Sequence, residues 1–564
     1  MLISPLGDSA VVIRLGEGVD AKTSAGVRDV VRELERDPLV GMSDVFPAYS
    51  SVAVFFQQPR ESFAQVQREI EARVQRVFDS AGKAIPAVAR MVEIPVCYGG
   101  EFGPDLAEVA QHSGLSPEQV VAAHGEGDYL VHAIGFLPGF PYLGGLPTRL
   151  ATPRRSTPRV EVPAGAVGIG GSQTGVYPIA SPGGWNLIGR TPWRLFDVGR
   201  SEPALLKVGD RVTFREISAD VFTRMSAEER TIQKSSVVAP EKTRDPGAYT
   251  IEVTKAGMFT TVQDLGRVGH RREGVPLSGA VDSLAMRVAN LLVGNAEDAA
   301  GIEFTLVGPE LTFRTDTLVA LGGADFGVPR WTPFWIRAGD TLALGLARSG
   351  CRGYLAVAGG IDVAPVLGSR STYVRAQLGG WRGRPLRAGD GLSVPRVMRH
   401  VQGRWRIDPR IIPAYCGDVV LRVCGGLHAA EFDPAWQKEV FRVSPQSDRM
   451  GLRLETGRGL KRVDGAELIS MPIGPGTVQV PPDGQPIILL ADAQTIGGYP
   501  QLAQVATVDL PLVAQLRPGD TVRFELVSLE ETYGLLNARE RALQLLRQGL
   551  AQKLARVGEV DSVP

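Results

Sequence analysis

The sequence predicts a mainly β protein with α+β parts, and three observations carry that expectation. Turn-strand units recur far apart: LLKVGDRVTF, FWIRAGDTLAL, PLRAGDGLSV and QLRPGDTVRF carry Gly-Asp at 209–210, 339–340, 389–390 and 519–520. Gln173-Thr-Gly-Val-Tyr-Pro is echoed by Gln494-Thr-Ile-Gly-Gly-Tyr-Pro. Repeats at such intervals predict duplicated barrel-like domains, since a solenoid would have a period of about 20–50 residues. Helical periodicity, in contrast, is confined to a few segments, most of them at the two ends of the chain.

Residues 1–90 read as the body of a β-α-β-β-α-β, or split βαβ, domain. Ala10 to Leu15 is a strand, and Val27, Val30, Val31 and Leu34 form a helical stripe ended by Asp37-Pro38, because proline cannot continue a helix. Val40 to Phe46 and Ser51 to Phe56 are strands about Pro47-Ala-Tyr. Phe63, Val66, Ile70, Val74 and Val77 mark a helix over Glu61 to Asp79, and Val92 to Val96 is the last strand. This domain is expected to be scaffold.

A barrel is expected over 91–234. Its helical part is Asp105 to Ala123, where Leu106, Val109, Ala110 and Val120 recur and Ser116-Pro-Glu restarts a turn. Residues 235–247, within a charged Pro/Gly stretch, are the expected linker. Two more barrels follow over 248–400 and 401–530, the first holding a helix from Ser283 to Leu292. Residues 531–564 form a helix and tail, with Tyr533, Leu536, Leu543, Leu546, Leu550 and Leu554 on one face for packing or subunit contact.

Composition narrows the function. A chain of 564 residues has room for about three to four domains. With 44% hydrophobic and 22% charged residues it is a folded protein, and 61 basic against 61 acidic residues give no reason to expect nucleic acid or an anionic membrane as partner. Cys97, Cys351, Cys416 and Cys424 match no zinc or redox spacing, which fits a reducing cytoplasm. There is no leader pattern and no apolar run of about 18 residues, so export and membrane spanning are not expected.

The richest candidate site is Arg159 to Trp193, dense in Gly and Pro and nearly free of charge. Short β-branched pieces alternate with Pro-Ala-Gly, Gly-Gly-Ser and Ser-Pro-Gly-Gly turns, the grammar of a small barrel. Gly171, Ser172, Gln173, Thr174, Tyr177, Asn186, Arg190 and Thr191 offer side chains and bared amides that can fix a small polar ligand. His132 enters from an apolar strand just upstream, either as a satisfied core residue or as an acid/base group.

Three further polar clusters lie downstream. Thr261 to Asp282 carries Asp264, Arg267, Arg272, Ser278 and Asp282, the last also a suitable cap for the following helix. Gly359 to Gly380 sets Arg370 and Arg375 beside Ser369, Ser371 and Tyr373, a pattern able to clamp a carboxylate. Pro445 to Gly451 offers Asp448 and Arg449, equally readable as a surface ion pair. Asp264, Asp282, Asp448, Gln494 and Tyr499 make up a candidate second site, and no metal site is expected.

These motifs carry a family resemblance. GFLPGFPYLGGLP with VPAGAVGIGGSQTGVYPIASPGGWNLIGRTP resembles the B subunit of bacterial 5-oxoprolinase. TVQDLGRVGHRREGVPLSGAVD, LAVAGGIDVAPVLGSRSTYVRAQLGG, PQSDRMG and ADAQTIGGYPQLAQVATVDLPLVAQLRPGD resemble the C subunit of the same enzyme. The resemblance implies a B–C fusion with cyclophilin-like barrels, one in the first half and two in the second. It also implies ATP-dependent opening of 5-oxo-L-proline to L-glutamate, with Mg2+ accompanying ATP, a separate A subunit, and B–C contacts that build a homo-oligomer. Under that chemistry the Gly165 to Gly175 amides and Arg190 would stabilise oxyanion charge, Gln173 and Tyr177 would hold the ring amide, and His132 would serve as acid/base. Arg370 or Arg267 would take the substrate carboxylate.

The same domain pair is similar to the carboxyltransferase region of biotin-dependent urea carboxylase, and to a bacterial histidine-kinase inhibitor with its antagonist. No Lys is flanked by Met, so no biotin attachment to this chain is expected. Walker, G-x-S-x-G and H-E-x-x-H motifs are absent as well.

Overall fold

A computed structural model describes every residue except 19, 58–61, 81–88, 237–248, 396–404, 464–467 and 561–564. The chain is mainly β, with its helices concentrated on the N-terminal sheet, on the flanks of the barrels and at the C-terminus.

Four antiparallel strands open the chain, in the spatial order Leu2–Leu6, Ala10–Arg14, Ser51–Phe56, Met42–Ala48. Leu2–Leu6 precedes the strands legible in the sequence; it lies at the sheet edge, where Pro5 does not interrupt a ladder on both sides. Helices Ala21–Arg36 and Phe63–Ser80 cover one face. Asp20 caps the first helix by accepting from the Thr23 N–H at 2.9 Å. Val27, Val30, Leu34, Val66, Ile70 and Val74 are buried against Ile13, Val52 and Val54, each such aliphatic side chain contributing about 1.5–3 kcal/mol through burial. Strand Met91–Tyr98, expected as the sixth element of this domain, pairs instead with Arg211–Glu216 and Asn186–Arg190 and belongs to the barrel wall.

The first barrel is a closed ring of seven strands: Tyr129–Ile134, Arg211–Glu216, Met91–Tyr98, Asn186–Arg190, Ala166–Gly170, Gln173–Val176 and Pro141–Gly144, which pairs back onto Tyr129–Ile134. Ala48↔Ala133 joins this ring to the N-terminal sheet. The helical segment after Cys97 is two helices, Leu106–Ser113 and Pro117–Gly125, divided by Gly114 in the left-handed conformation; a Ser116/Gln119 capping box starts the second. An additional helix, Ala219–Ser236, follows the barrel, and the rest of the expected linker lies outside the described residues.

The middle unit packs a four-stranded sheet on a five-stranded one around Ile251, Val253, Phe304, Leu311, Phe313, Leu321 and Leu355. The last unit is again a closed seven-stranded barrel, running from Asp418–Gly425 to Thr521–Leu526. The Gly-Asp echo is one turn used four times: Gly209, Gly339, Gly389 and Gly519 have φ near +90° (95, 92, 89 and 92), which explains the glycine. At Asp210, Asp390 and Asp520 the carboxylate accepts from the main-chain N–H three residues back. The C-terminal helix, Leu529–Val560, lays Leu543 and Leu550 on Leu284, Val288 and Leu291 of helix Ser283–Leu292, and Arg287 forks onto Glu540 at 2.7 Å. Its packing is therefore within the chain; the Leu554 side chain lies outside the described residues.

Candidate active site

The site is built around a fault in a strand ladder. Between Tyr129–Ile134 and Pro141–Gly144 the register runs Val131↔Leu143 and then Ala133↔Tyr142, so His132 is the extra residue of a β-bulge. A bulge re-aims its side chain, here away from the barrel core that holds Tyr129, Val131 and Ile134. His132 Nδ1 lies 2.9 Å from Ser24 Oγ of the first helix, and its ring stacks on Tyr49 at 6.2 Å. Gly144 makes room for it, since a Cβ there would stand 2.4 Å from Nε2. Burial, with a smaller push from Arg28, lowers the His132 pKa to about 4, so the ring is neutral at pH 7.

Tyr49 sits at the tip of a tight turn with φ of 49°. Its hydroxyl accepts from Gln173 Nε2 at 2.8 Å, and Tyr142 crosses it at 5.7 Å. Burial first, and Tyr142 second, hold its phenol well above the usual range, so it stays protonated. Tyr177, buried and pushed up to about 12 by desolvation, continues this layer edge-on to Phe140 at 5.2 Å. The layer joins the N-terminal sheet to the barrel wall, and Ile496, on a two-stranded ribbon of the last unit, packs into it.

The two halves of the chain meet here. A Cβ on Gly135 would strike Ile496 at 2.8 Å, so the loop after His132 is seated on the QTIGGYP echo. Phe136, with φ of 66°, lies under the Arg375 guanidinium at 5.4 Å, and the Gly139 N–H donates to the Glu273 carbonyl at 2.7 Å. Asp44 and Arg271 close the seam as a buried ion pair at 2.6 Å.

His132, Gln173 and Tyr177 are thus drawn into one layer, but other expected residues are employed elsewhere. Thr174 points into the barrel core, where its hydroxyl donates to the Gly168 carbonyl and meets His124 Nε2 at 3.0 Å. Arg190 donates through Nε to the Ala164 carbonyl and lies 5.9 Å from the Phe222 ring of helix Ala219–Ser236. The Gly165 and Gly171 amides, expected to face an oxyanion, donate instead to the Tyr177 and Thr152 carbonyls, and Ser172 is an exposed turn residue. Asn186 donates to the Pro153 carbonyl, and Thr191 Oγ1 accepts from the Trp193 N–H.

Arg267 is fully buried and spends its guanidinium on the Val366 carbonyl and on the Ser371 hydroxyl and carbonyl, so it is not available as a carboxylate clamp. Asp264 fastens the same loops by accepting from the Gly266 N–H, the Ser369 hydroxyl and the Arg370 N–H. Arg370 itself is exposed, with Nε on the Val363 carbonyl, and Tyr373 is buried against Val275 and Leu378. Asp282 caps helix Ser283–Leu292 and also accepts from Tyr415 and Gln515; burial raises its pKa.

Asp448 and Arg449 do not pair. Asp448 is exposed and accepts from the Met450 and Gly451 amides, whereas Arg449 is buried between Glu303 and Asp492. Ser278 donates to Asp492 at 2.7 Å, which completes that network. Gln494 is half-buried behind Gly497, and Tyr499 is exposed, its carbonyl accepting from Gln479. The candidate second site is therefore spread over separate tasks.

Sequence reasoning missed Ser24, Tyr49, Arg28 and His124. Tyr98 OH and Thr174 flank His124 inside the barrel, and complete burial lowers its pKa to about 3. No periodicity marks these residues; the one local signal was an aromatic at the Pro47-Ala-Tyr turn. Among the described residues no group of His, Cys, Asp and Glu is arranged to hold a metal ion, and no helix is long and apolar enough to cross a membrane.

The chain is similar to known proteins. Residues 1–206 match the model of carboxyltransferase domain subdomains C and D, and residues 273–526 that of subdomains A and B. The chain is similar to the 5-oxoprolinase B subunit of Bacillus subtilis, 46% identical over 38% of this chain and 92% of that protein. It is also similar to the 5-oxoprolinase C subunit of Escherichia coli, 40% identical over 52% of this chain and 97% of that one. Urea amidolyase of Lachancea kluyveri is 35% identical over 54% of this chain but only 18% of its own length. The solved structure of TTHA0988 superposes with a TM-score of 0.77 at 36% identity, covering 92% of this chain and 99% of the other.

Proposed function

Because the chain belongs to the family of the 5-oxoprolinase B and C subunits, joined here in one polypeptide, we propose that it is the B–C component of a cytoplasmic, ATP-dependent 5-oxoprolinase. With a separate A subunit it opens 5-oxo-L-proline to L-glutamate. The observation that carries this reading is coverage: the chain spans nearly the full length of the B and C subunits, but less than a fifth of the urea amidolyase it resembles. ATP, with Mg2+, is the co-substrate of the complex, and no residue of this chain is assigned to it. No biotin is carried by the chain.

A five-membered lactam is a poor electrophile, and its opening needs its carbonyl polarised and its ring held still. The bulged His132 fits the first task as a neutral hydrogen-bonding group, because a conjugate acid with a pKa of about 4 is scarce at pH 7. Ser24 on Nδ1 fixes the ring orientation, and Nε2 makes no hydrogen bond to described residues. The Tyr49–Gln173 pair and Arg375 over Phe136 shape the surrounding wall.

The test is reconstitution. The purified chain alone is expected to release neither glutamate nor phosphate from 5-oxo-L-proline and ATP, and addition of an A subunit to release both in step. Turnover of urea or allophanate in place of 5-oxo-L-proline would transfer the chain to the carboxyltransferase reading, and inhibition of a histidine kinase without turnover would make it a regulator. Light scattering on the same preparation reads any assembly of copies above the 60.4 kDa chain.

A further inference from the structure

A cavity of about 280 Å³ lies where the open face of the N-terminal sheet meets the last unit; its wall residues Val12 and Met471 also pack into the apolar layer beside His132, but His132 itself does not line it. Its floor is two cross-strand pairs, Leu2↔Arg14 and Ser4↔Val12. His428 and Glu431, just beyond strand Asp418–Gly425, form the opposite wall, so both halves of the chain contribute.

The polar groups define a donor pattern. Arg14, an exposed residue, and the half-buried Ser4 both line the space, and neither side chain has a hydrogen-bond or ion-pair partner among the described residues. The Gln501 N–H donates to His428 Nδ1 at 3.1 Å. A neutral imidazole whose Nδ1 accepts carries its proton on Nε2, so the remaining ring nitrogen is a donor. Burial first, offset in part by Glu431, lowers the His428 pKa and keeps the ring neutral. Glu431 is itself paired with Arg462, and its charge is already met. The site therefore presents one uncompensated cation and two neutral donors on an aliphatic background that includes Val12 and Leu427.

We propose that this seam cavity binds a small monocarboxylate with a short apolar body, the carboxylate held by Arg14 and His428. A single cation matches a single negative charge, because the Glu431 carboxylate on the wall is already paired with Arg462 and leaves the Arg14 guanidinium unshared. The aliphatic walls suit a compact ring or chain rather than a fully hydrated ion. The space falls below the usual 300–1,000 Å³ or so of pockets for drug-sized ligands, which points to a molecule the size of 5-oxo-L-proline. The choice of that lactam acid rests on the proposed function; the preference for a monocarboxylate rests on the cavity alone. A ligand here touches both halves, so binding tightens the seam and raises the melting temperature by mass action.

The test uses the full chain without an A subunit, by calorimetry and thermal melting. The probes are 5-oxo-L-proline, 2-pyrrolidone, which keeps the ring and lacks the carboxylate, and inorganic phosphate. The expected result is saturable binding of 5-oxo-L-proline, at least tenfold weaker binding of the other two, and a tenfold or greater loss in Arg14→Gln and in His428→Asn. Asn keeps an acceptor for the Gln501 N–H while removing the Nε2 donor, and ligand-free melting curves check that both variants fold. Absence of binding in the intact chain, equal binding of phosphate, or binding unchanged in both folded variants would overturn the site. Turnover with an A subunit by a chain that binds nothing here would overturn the site alone. Binding here by a chain that turns nothing over would support the site and overturn the proposed function.

Discussion

The Asp44 carboxylate, on the third strand of the N-terminal sheet, receives the Arg271 guanidinium at 2.6 Å, and that guanidinium also lies 4.1 Å from the centre of the Phe55 ring. Both side chains are buried, 227 residues apart in sequence, and the pair spans the junction between the two halves. A buried pair adds little net stability over an apolar replacement, but removing one partner strands the other charge. Asp44→Ala is therefore expected to cost about 3–5 kcal/mol in urea unfolding. A cost well under 1 kcal/mol would show that the seam is wet or open in solution.

Adjacent residues in the PQSDRMG stretch should behave in opposite ways. Arg449→Ala leaves Glu303 and Asp492 buried without their cation and is expected to destabilise by about 3–5 kcal/mol. Asp448→Ala loses acceptors for two amides in an exposed turn and should cost about 1 kcal/mol or less. Equal effects of the two substitutions would contradict the burial described for Arg449.

These cases show what could be read ahead of the structure. Helix Ser283–Leu292 was legible because an Asp cap precedes a run of good helix formers, and the Gly-Asp turns because a left-handed glycine and a back-bonding Asp are local requirements. Strand Leu2–Leu6 was hidden by Ser4 and Pro5, and helix Ala219–Ser236 by its scarcity of apolar residues. That His132, Gln173 and Tyr177 would share one layer was legible in part, because they stand in or beside a turn-rich region that advertises itself. Ser24 and Tyr49 do not, because a helix face 108 residues from His132 and the tip of a hairpin become site walls only through tertiary packing. Arg267 and Arg190 misled for the opposite reason, since a guanidinium in a polar motif looks free until its carbonyl partners are seen.

The Tyr49–Gln173 bond is expected to show as a coupling energy. In a double-mutant cycle of Tyr49→Phe and Gln173→Leu, the single changes should each destabilise and the pair should couple by about 0.5–1.5 kcal/mol. Strict additivity would mean that the bond does not persist in solution.

Acid sensitivity follows from the buried imidazoles. His132 and His124 have folded pKa values of about 4 and about 3, below the unfolded value near 6.5. Between those values the unfolded chain binds more protons, so stability is fully present above pH 6.5 or so and falls as pH drops toward the folded pKa values. Each group contributes up to about 1.4 kcal/mol per pH unit in that window. Urea midpoints measured from about pH 7.5 to about pH 4.5 should fall, and His124→Gln should flatten the fall. An unchanged slope in that variant would mean that His124 is solvated.

Those same values divide the roles at the candidate active site. In the complex reconstituted with an A subunit, His132→Gln is expected to lower kcat by about a hundredfold, the order for losing a group that hydrogen-bonds a reacting atom. Since the ring is neutral throughout the neutral range, the wild-type rate should show no break near pH 6.5 arising from His132, and removing the side chain should lower the profile without shifting it. Ser24→Ala frees the ring to turn and is expected to reduce kcat less than loss of the imidazole itself, with folding intact. Arg190→Ala should leave kcat nearly unchanged, because that guanidinium is engaged by the Ala164 carbonyl and the Phe222 ring away from the layer. A large loss in Arg190→Ala with wild-type activity in His132→Gln would move the chemistry to the other side of the barrel wall.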